Sequence, residues 1–237
     1  MIRIAIHGTG RMAGAIVSTA ADLGDIEIIG LVGPKAPEFE TAIGWVSSLD
    51  QLLEKPDFLI DFTLPQGTRM AARWCADNGV PMVSGVTGLS DDIVATVHAA
   101  AEKVAVLWSP NLSLGVNLLA DLAGRAGAVL ADDVPVHIED IHHQWKKDAP
   151  SGTALMIGER VAEGREGDAA GIEYGSVREG EIIGVHTITF SMNGEEFDLV
   201  HRAHDRSIYA RGAIEAGRWL MTQAAGFYSA RDWLAGI

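Results

Sequence analysis

Cysteine is almost absent from this sequence. Cys75 is the single cysteine among 237 residues, so a disulfide framework within the chain and a cysteine-based metal cluster are both excluded. Chains without disulfides are typical of reducing compartments, and we expect a cytoplasmic protein. The first residues, "MIRIAIHG", lack the succession of basic, apolar and small residues that marks a secretory signal.

Positive charge and long apolar runs are also scarce. Lys and Arg total 18 against 32 Asp and Glu, which gives a formal charge of −14. Nucleic acids and anionic membranes select basic surfaces, so neither is expected as a partner. No apolar run approaches the roughly 18 to 20 residues that a membrane-spanning helix needs. We therefore expect a soluble globular protein.

The first half of the chain alternates short apolar runs with helical patterns. "IRIAI", "IEIIGLV", "DFLIDFT" and "VAVLWS" have the composition of buried strands, and amphipathic segments separate them. This alternation predicts an α/β fold with a doubly wound, Rossmann-type parallel sheet covered on both faces. We expect residues 1–112 to form this dinucleotide-binding domain.

The second half follows a different pattern. A small-residue helix and the alternating strand "VPVHIEDIHH" precede a further helix and a Gly- and Glu-rich loop over 164–175. Asn193 and Gly194 separate two alternating segments, which predicts a hairpin with a type I′ turn. We expect an α+β domain with an open mixed sheet over 113–211, for substrate binding and oligomerisation. A helical segment over 212–237 is expected to return to the first domain.

The turn "IHGTGRMAG" lies where the first strand passes into the first helix. Gly8 and Gly10 permit a sharp turn and a close approach to a pyrophosphate, whose charge is stabilised by the helix N-terminus. Ala13 takes the third glycine position of the usual pattern, a permitted variant. A tight turn without a ligand is the alternative, but the position after a first strand favours nucleotide binding.

The end of the second strand bears on the choice of cofactor. The sequence "LVGPK" has Gly33 where an acid usually accepts hydrogen bonds from the adenosine ribose. Lys35 follows it, and an ammonium group suits a 2′-phosphate better than a hydroxyl. We expect NADPH to be used at least as well as NADH. The alternative is that Lys35 is a solvated surface side chain.

The segment "EDIHHQWKKDAPSGTAL" concentrates positive charge in an acidic chain. Three interpretations are open for it: a metal site, a solvated loop or a pocket for an anionic substrate. Strand alternation places His142 and His143 on opposite faces, and neither a His-Glu-x-x-His spacing nor a carboxylate cluster accompanies them. A metal site is therefore not expected.

The turn after the two lysines favours an anion pocket. Ser151 is a candidate N-cap, and the backbone N–H groups of Gly152 and Thr153 would then point outward at a helix N-terminus. Lys146 and Lys147 add charge beside them. A carboxylate or phosphate of a small substrate would suit this arrangement.

The same segment resembles the signature of the dihydrodipicolinate reductase family. "IDFTLPQG", "VSGVTGL", "SPNLSLGVN" and "HDRSIYARGAIEAGRWL" extend the resemblance over nearly the whole chain. It implies NAD(P)H-dependent reduction of 4-hydroxy-tetrahydrodipicolinate, a small dicarboxylate of bacterial diaminopimelate and lysine biosynthesis, by a homotetramer.

The resemblance also implies residue roles. His142 matches a proton donor and acceptor, Lys146 a proton donor, and His143, Gly152 and Thr153 match substrate-binding residues. Together with Lys35, the expected cofactor-binding residues are Gly8, Thr9, Gly10, Arg11, Met12, Gly85, Val86, Thr87, Ser109, Pro110, Asn111 and Leu112. The glycine turn is one residue shorter before Arg11 than in the family pattern, and the acid after the second strand is missing.

Two other functions are considered. Another two-domain NAD(P)-dependent amino-acid dehydrogenase, such as an aspartate dehydrogenase, would share the first domain but would not need the arrangement from Lys146 to Thr153. A non-catalytic NAD(P)H-sensing regulator would bind the cofactor without turnover.

Overall fold

The computed structural model describes residues 1–168 and 171–237. The chain divides into two compact units: Met1–Ser113 together with Ser207–Ile237 form the first unit, and Leu114–Arg206 form the second. The first expected boundary, after residue 112, lies beside this division. The second, near Arg211, falls instead within a helix that begins at Ser207.

Eleven strands and seven α-helices form these two units over the described ranges. The strands are β1 (Ile2–His7), β2 (Ile26–Val32), β3 (Trp45–Val46), β4 (Phe58–Asp61), β5 (Met82–Ser84), β6 (Ala105–Trp108), β7 (Val136–His142), β8 (Ile172–Arg178), β9 (Gly184–Met192), β10 (Glu195–Ala203) and β11 (Gly226–Tyr228). The helices are α1 (Arg11–Leu23), α2 (Pro65–Asn78), α3 (Asp91–Ala101), α4 (Leu114–Val129), α5 (Gly152–Gly164), α6 (Ser207–Leu220) and α7 (Ala230–Ala235), with a short 3₁₀ helix at Leu49–Gln51. None of the described helices combines the length and the hydropathy needed to cross a bilayer.

The first unit contains a seven-stranded parallel sheet in the order β3–β2–β1–β4–β5–β6–β11. The chain moves outward from β1 in one direction and then restarts at β4 in the other, which defines a topological switch point between these two strands. The predicted Rossmann-type sheet is confirmed. The strands β3 and β11, with two and three residues, were not predicted because so short a segment carries no readable periodicity.

Helices cover both faces of this sheet, as the continuous apolar strands predict. Ile4 and Ile6 of β1 are fully buried in one cluster with residues of α1 and α6. Ala5 and Leu59 point to the other face and pack in a cluster with residues of α2 and α3. Each buried Ile or Leu contributes about 1.5 to 3 kcal/mol through removal of its side chain from water.

The second unit is a mixed four-stranded sheet in the order β10–β9–β7–β8. The strands β7 and β8 are parallel, and the other neighbours are antiparallel, which confirms the predicted open mixed sheet. The predicted alternation of β7 is also confirmed, since Val136, Ile138, Asp140 and His142 are buried. Val136 and Ile138 pack in one core with residues of α4 and α5.

Three local predictions in this half were wrong. The expected loop over 164–175 instead includes the start of β8 at Ile172, while Ala169 and Ala170 lie outside the described residues. The hairpin exists, with Met192 paired to Glu195, but its turn is not type I′. That turn needs a positive φ at both Asn193 and Gly194. Gly194 has φ 93°, but Asn193 does not have a positive φ, since Glu166 is the one non-glycine residue in the described ranges that does. The last long helix begins at Ser207 rather than near Gly212.

Candidate active site

The predicted glycine turn lies at the carboxyl end of β1, beside the switch point. The N–H of Gly8 donates to the carbonyl oxygen of Val32 at 2.7 Å, and its φ is 130°. A Cβ at this position would lie 3.0 Å from the carbonyl oxygen of Phe62. Glycine is therefore required here by both the backbone conformation and the close approach of the next chain segment.

The start of α1 has the features of an anion site. Its N-cap is Gly10, which is exposed and offers no capping side chain, and a Cβ there would meet nothing within 4 Å. The first helical residues are Arg11, which is exposed, and Met12. A helix start of this kind favours a phosphate, because its N–H groups and dipole attract negative charge.

The end of β2 packs against this turn. A Cβ on Gly33 would lie 3.1 Å from the hydroxyl of Thr9, and the indole N–H of Trp45 donates to the Gly33 carbonyl at 3.0 Å. Lys35 follows on the exposed segment after β2. The structure thus places the strand end that precedes Lys35 in contact with the glycine turn.

The other two predicted cofactor segments follow β5 and β6, which are neighbours in the sheet. Gly85 donates its N–H to the carbonyl of Asp61 at 3.0 Å, and a Cβ there would lie 2.3 Å from the Phe62 ring. The indole N–H of Trp108 donates to the Val86 carbonyl at 2.8 Å, which joins the two segments. Thr87 continues the first segment at an exposed position.

The segment after β6 is held by its own side chains. The N–H of Ser109 donates to the Ser84 carbonyl at 3.1 Å, and the Ser109 hydroxyl donates to the Asn111 carbonyl at 2.7 Å. Pro110 is exposed and Leu112 is buried. All predicted cofactor-binding segments of the first unit therefore follow the carboxyl ends of its parallel strands.

A buried polar cluster that sequence reasoning missed lies beneath these segments. The Asp61 carboxylate accepts hydroxyl hydrogen bonds from Thr63 at 2.6 Å, Thr68 at 2.7 Å and Ser84 at 2.9 Å. Nδ1 of His7 lies 3.2 Å from its Oδ1. The cluster joins the ends of β1, β4 and β5, the edge at which dinucleotides bind in such sheets.

In the second unit, His142 lies beside a buried carboxylate. Its Nδ1 is 2.8 Å from Oδ2 of Asp140, two residues earlier on the same face of β7. Oδ1 of Asp140 also accepts a hydrogen bond from the Ser176 hydroxyl, and Oδ2 lies 3.1 Å from Nη2 of Arg178. Burial acts to raise the pKa of Asp140, but the Ser176 hydrogen bond and the charges of Arg178 and His142 outweigh it, so the pKa is lowered.

Opposing effects act on the pKa of His142. Burial and the charge of Lys146 lower its pKa, Asp140 acts in the other direction, and the net pKa lies below the ordinary histidine value. The His186 ring meets the His142 ring edge-on, with 5.1 Å between centroids. Burial, followed by the charge of His142, lowers the pKa of His186 to about 4. Both histidines are thus favoured as neutral rings near pH 7.

The loop after β7 folds back on itself around Lys146. Its Nζ lies 2.8 Å from Oδ2 of Asp148, and its N–H donates to the His143 carbonyl at 3.0 Å. The strand ends at His142, and His143 is half-buried with its ring 5.8 Å from that of Trp145. Arg178 donates to the Asp148 carbonyl, which ties this loop to β8.

The predicted helix start is confirmed at α5. The Ser151 hydroxyl accepts a hydrogen bond from the backbone N–H of Ala154 at 3.1 Å, so Ser151 is the N-cap. Gly152 and Thr153 are the first two residues of the helix. A Cβ on Gly152 would meet nothing within 4 Å. The hydrogen bond from Lys146 lowers the pKa of Asp148, and the Gly152 N–H stabilises the same carboxylate. The Asp148 carboxylate therefore lies against both the Lys146 ammonium group and the start of α5.

The network around His142 includes residues that were not predicted. Arg178, Ser176 and His186 come from β8 and β9, and the sequence carries no local signal that links them to β7. Asp140 could have been found, because strand alternation places it on the same face as His142. Among the described residues, no group of three or more His, Cys, Asp or Glu side chains is positioned to hold a metal ion.

Comparison with known proteins agrees with this geometry. The family model described as "Dihydrodipicolinate reductase, N-terminus" matches residues 2–112, and the one described as "Dihydrodipicolinate reductase, C-terminus" matches residues 115–234. The chain is 40% identical over 235 residues to a 4-hydroxy-tetrahydrodipicolinate reductase of Xanthomonas euvesicatoria pv. vesicatoria, covering 98% of this chain and 97% of the relative.

Two solved structures are similar to this chain to different degrees. A dihydrodipicolinate reductase with bound dipicolinate from Paenisporosarcina sp. TG-14 has a TM-score of 0.85 and 27% identity, covering 97% of each chain. An aspartate dehydrogenase from Thermotoga maritima has a TM-score of 0.55 at 12% identity, covering 94% of this chain and 98% of that one, a likeness of fold alone. From the two family models and the full-length relatives, the chain belongs to the dihydrodipicolinate reductase family.

Proposed function

We propose that this chain catalyses the NAD(P)H-dependent reduction of 4-hydroxy-tetrahydrodipicolinate to tetrahydrodipicolinate, a step of the diaminopimelate route to lysine. The observation that carries the proposal is the arrangement at the end of β7. There a buried imidazole, an ammonium group and a helix N-terminus lie in one segment, in a chain of the reductase family.

The first unit fits a dinucleotide. The positive φ of Gly8 and the bare N-cap at Gly10 suit a pyrophosphate at the start of α1. The segments Gly85–Thr87 and Ser109–Leu112 would hold the remainder of the cofactor, and Lys35 would meet a 2′-phosphate. The nicotinamide supplies the hydride when the cofactor is bound. NADPH is proposed to be used at least as well as NADH.

The second unit would bind the substrate and manage protons. Gly152 and Thr153 would bind one substrate carboxylate through backbone N–H groups, with His143 as a further contact. His142 and Lys146 would supply the proton that quenches negative charge developing on the ring during reduction. The hydroxyl would leave as water together with a proton from an adjacent ring carbon, which forms the double bond that the hydride and the supplied proton then reduce. Residues 1–113 with 207–237 are thus proposed as the cofactor domain and 114–206 as the substrate domain.

The family resemblance supports a proposal for the assembly, and the single cysteine supports one for the location. We propose that the chain acts as a homotetramer in the cytoplasm, where Cys75 would stay reduced. Cys75 is fully buried, and burial raises its pKa well above the ordinary value, which keeps the thiol protonated and unreactive.

An amino-acid dehydrogenase is the less favoured alternative, because its likeness to this chain is confined to the fold. A substrate comparison tests the proposal. The purified protein should consume NAD(P)H when 4-hydroxy-tetrahydrodipicolinate is added, freshly formed by the synthase that produces it. It should not reduce NAD(P)⁺ in the presence of L-aspartate. The reverse pattern would favour the dehydrogenase, and cofactor binding without turnover on either substrate would favour a sensing regulator.

A further inference from the structure

The buried face of β7 places a carboxylate directly behind the proposed proton donor. Asp140 is fully buried and His142 is 8% exposed. The Oδ2 of Asp140 lies 2.8 Å from Nδ1 of His142. On the other side of the ring, a Cβ on residue 184 would lie 3.2 Å from Nε2, so Gly184 keeps the space beside that nitrogen free of a side chain.

The carboxylate itself is held by β8. Asp140 pairs in register with Ser176, and His142 pairs with Arg178, so four side chains meet across two parallel strands. The Ser176 hydroxyl donates a hydrogen bond to Oδ1 of Asp140. Nη2 of Arg178 lies 3.1 Å from Oδ2, and Nη1 of Arg178 donates to the Asp140 backbone carbonyl at 3.3 Å. A buried carboxylate with these partners remains ionised and has little freedom to rotate.

We infer that Asp140 is a positioning residue that keeps the Nδ1 atom of His142 protonated, so that Nε2 is the nitrogen that takes up and releases the proton. The inference rests on the proposed function for its catalytic meaning, but the tautomer itself can be observed without turnover. In this neutral tautomer, the proton on Nδ1 lies beside the Asp140 carboxylate and the Nε2 lone pair is available to accept a proton. In the charged ring, the additional proton is on Nε2, beside Gly184.

Asp140 is also the carboxylate that lies against this ring, among several cationic or titratable groups. Arg178 approaches from β8, His186 from β9 and Lys146 from the following loop. The charges of Lys146 and Arg178 disfavour the imidazolium, whereas Asp140 favours it. Removal of the Asp140 charge should therefore make His142 harder to protonate and move the alkaline decline in activity to lower pH.

The first test is kinetic. Asp140→Asn keeps the size of the side chain, but its amide N–H can donate to Nδ1 and so favours the opposite tautomer. We expect kcat to fall about 100-fold, the lower range for loss of general acid–base catalysis, with a smaller change in KM. Asp140→Glu, which restores a carboxylate, should recover part of kcat. Glu139→Gln removes the same charge from the opposite face of β7 and should keep the kcat and pH profile of the wild type.

The second test reads the tautomer directly. In protein labelled with ¹⁵N-histidine, the two nitrogens of the neutral His142 ring have distinct shifts, assigned by their loss in His142→Gln. The wild type should show the Nδ1–H form, and Asp140→Asn should shift the ring towards the Nε2–H form. An Nε2–H ring in the wild type would overturn the inference, as would unchanged kcat in Asp140→Asn while His142→Gln is inactive. Should the wild type lack reductase activity, the proposed function fails while the spectrum still decides the tautomer.

Discussion

Nζ of Lys146 lies 2.8 Å from Oδ2 of Asp148, on the same loop and just before the start of α5. The Gly152 N–H stabilises the same carboxylate, so an ammonium group and a helix N-terminus converge on one anion. The Lys146 side chain is 23% exposed and already held in place. A substrate carboxylate would thus encounter an oriented charge, which reduces the entropy lost on binding.

Replacement of Lys146 should remove the proposed proton donor rather than destabilise the fold. We expect Lys146→Ala to lower kcat by about 100-fold, because a positioned acid typically contributes a factor of 10² or more. Steady-state kinetics measure the effect, and circular dichroism checks the fold. Lys147→Ala is the matched control, since its side chain is exposed next to Lys146. Wild-type activity in Lys146→Ala would remove the residue from the mechanism.

The proposed carboxylate site at α5 is open to a substitution that should leave the fold intact. A Cβ on Gly152 meets nothing within 4 Å, so Gly152→Val should fold normally and obstruct only an approaching anion. We expect KM for the substrate to rise about tenfold or more, as charge-assisted hydrogen bonds of roughly 1.5 to 3 kcal/mol are lost.

A glycine on the same helix supplies the contrast. A Cβ on Gly158 would lie 1.9 Å from the hydroxyl of Tyr174, so Gly158→Ala should lower the melting temperature. If Gly152→Val left both KM and kcat unchanged, the carboxylate would have to bind elsewhere.

The stability of the second unit should depend on pH through His186. Its folded pKa of about 4 lies below the ordinary histidine pKa of 6.5, so between these values the unfolded chain binds more protons. Stability from this group is therefore complete above pH 6.5 and is lost as the pH falls towards 4. Replacement by glutamine, which cannot titrate, should reduce this loss by up to roughly 3 kcal/mol.

Urea unfolding at several pH values measures this difference between His186→Gln and the wild type. His137→Gln serves as the control, because that side chain is 46% exposed. If the free energies of unfolding of His186→Gln and the wild type changed with pH in the same way, the buried ring would not be the source of the pH dependence.

Lys35 should influence the choice between the two cofactors. We expect Lys35→Ala to lower kcat/KM for NADPH about tenfold, the effect of one hydrogen bond to a charged group, and to change that for NADH far less. Lys103→Ala removes an exposed charge from another surface, where Nζ lies 3.6 Å from Asp77, and should affect neither. A strong preference for NADH in the wild type would contradict the assignment of Lys35 to a 2′-phosphate.

Local patterns were enough to predict much of the fold and part of the candidate site. The apolar strands around Ile4 and Ile60 and the turn at Gly8 predicted the parallel sheet and its ligand edge. Alternation in β7 and the N-cap at Ser151 were likewise readable, because each depends on residues within a few positions of one another.

The partners of His142 could not be predicted in the same way. Arg178 and Ser176 belong to β8, whose first residues, 172–175, were predicted as part of a loop because the segment that precedes them is rich in Gly and Glu. Their contacts with Asp140 depend on the pairing of β7 with β8, which is set by packing across the sheet rather than by neighbouring residues. The hydrogen bond from Ser84 to Asp61 has the same origin, since it joins adjacent strands 23 positions apart.

A crystal structure with dipicolinate and NADPH bound would test the central claim most directly. The account predicts one carboxylate of dipicolinate within hydrogen-bond distance of the Gly152 and Thr153 N–H groups, with Lys146 beside it and Nε2 of His142 turned towards the ring. Dipicolinate bound away from both the start of α5 and Lys146 would contradict it.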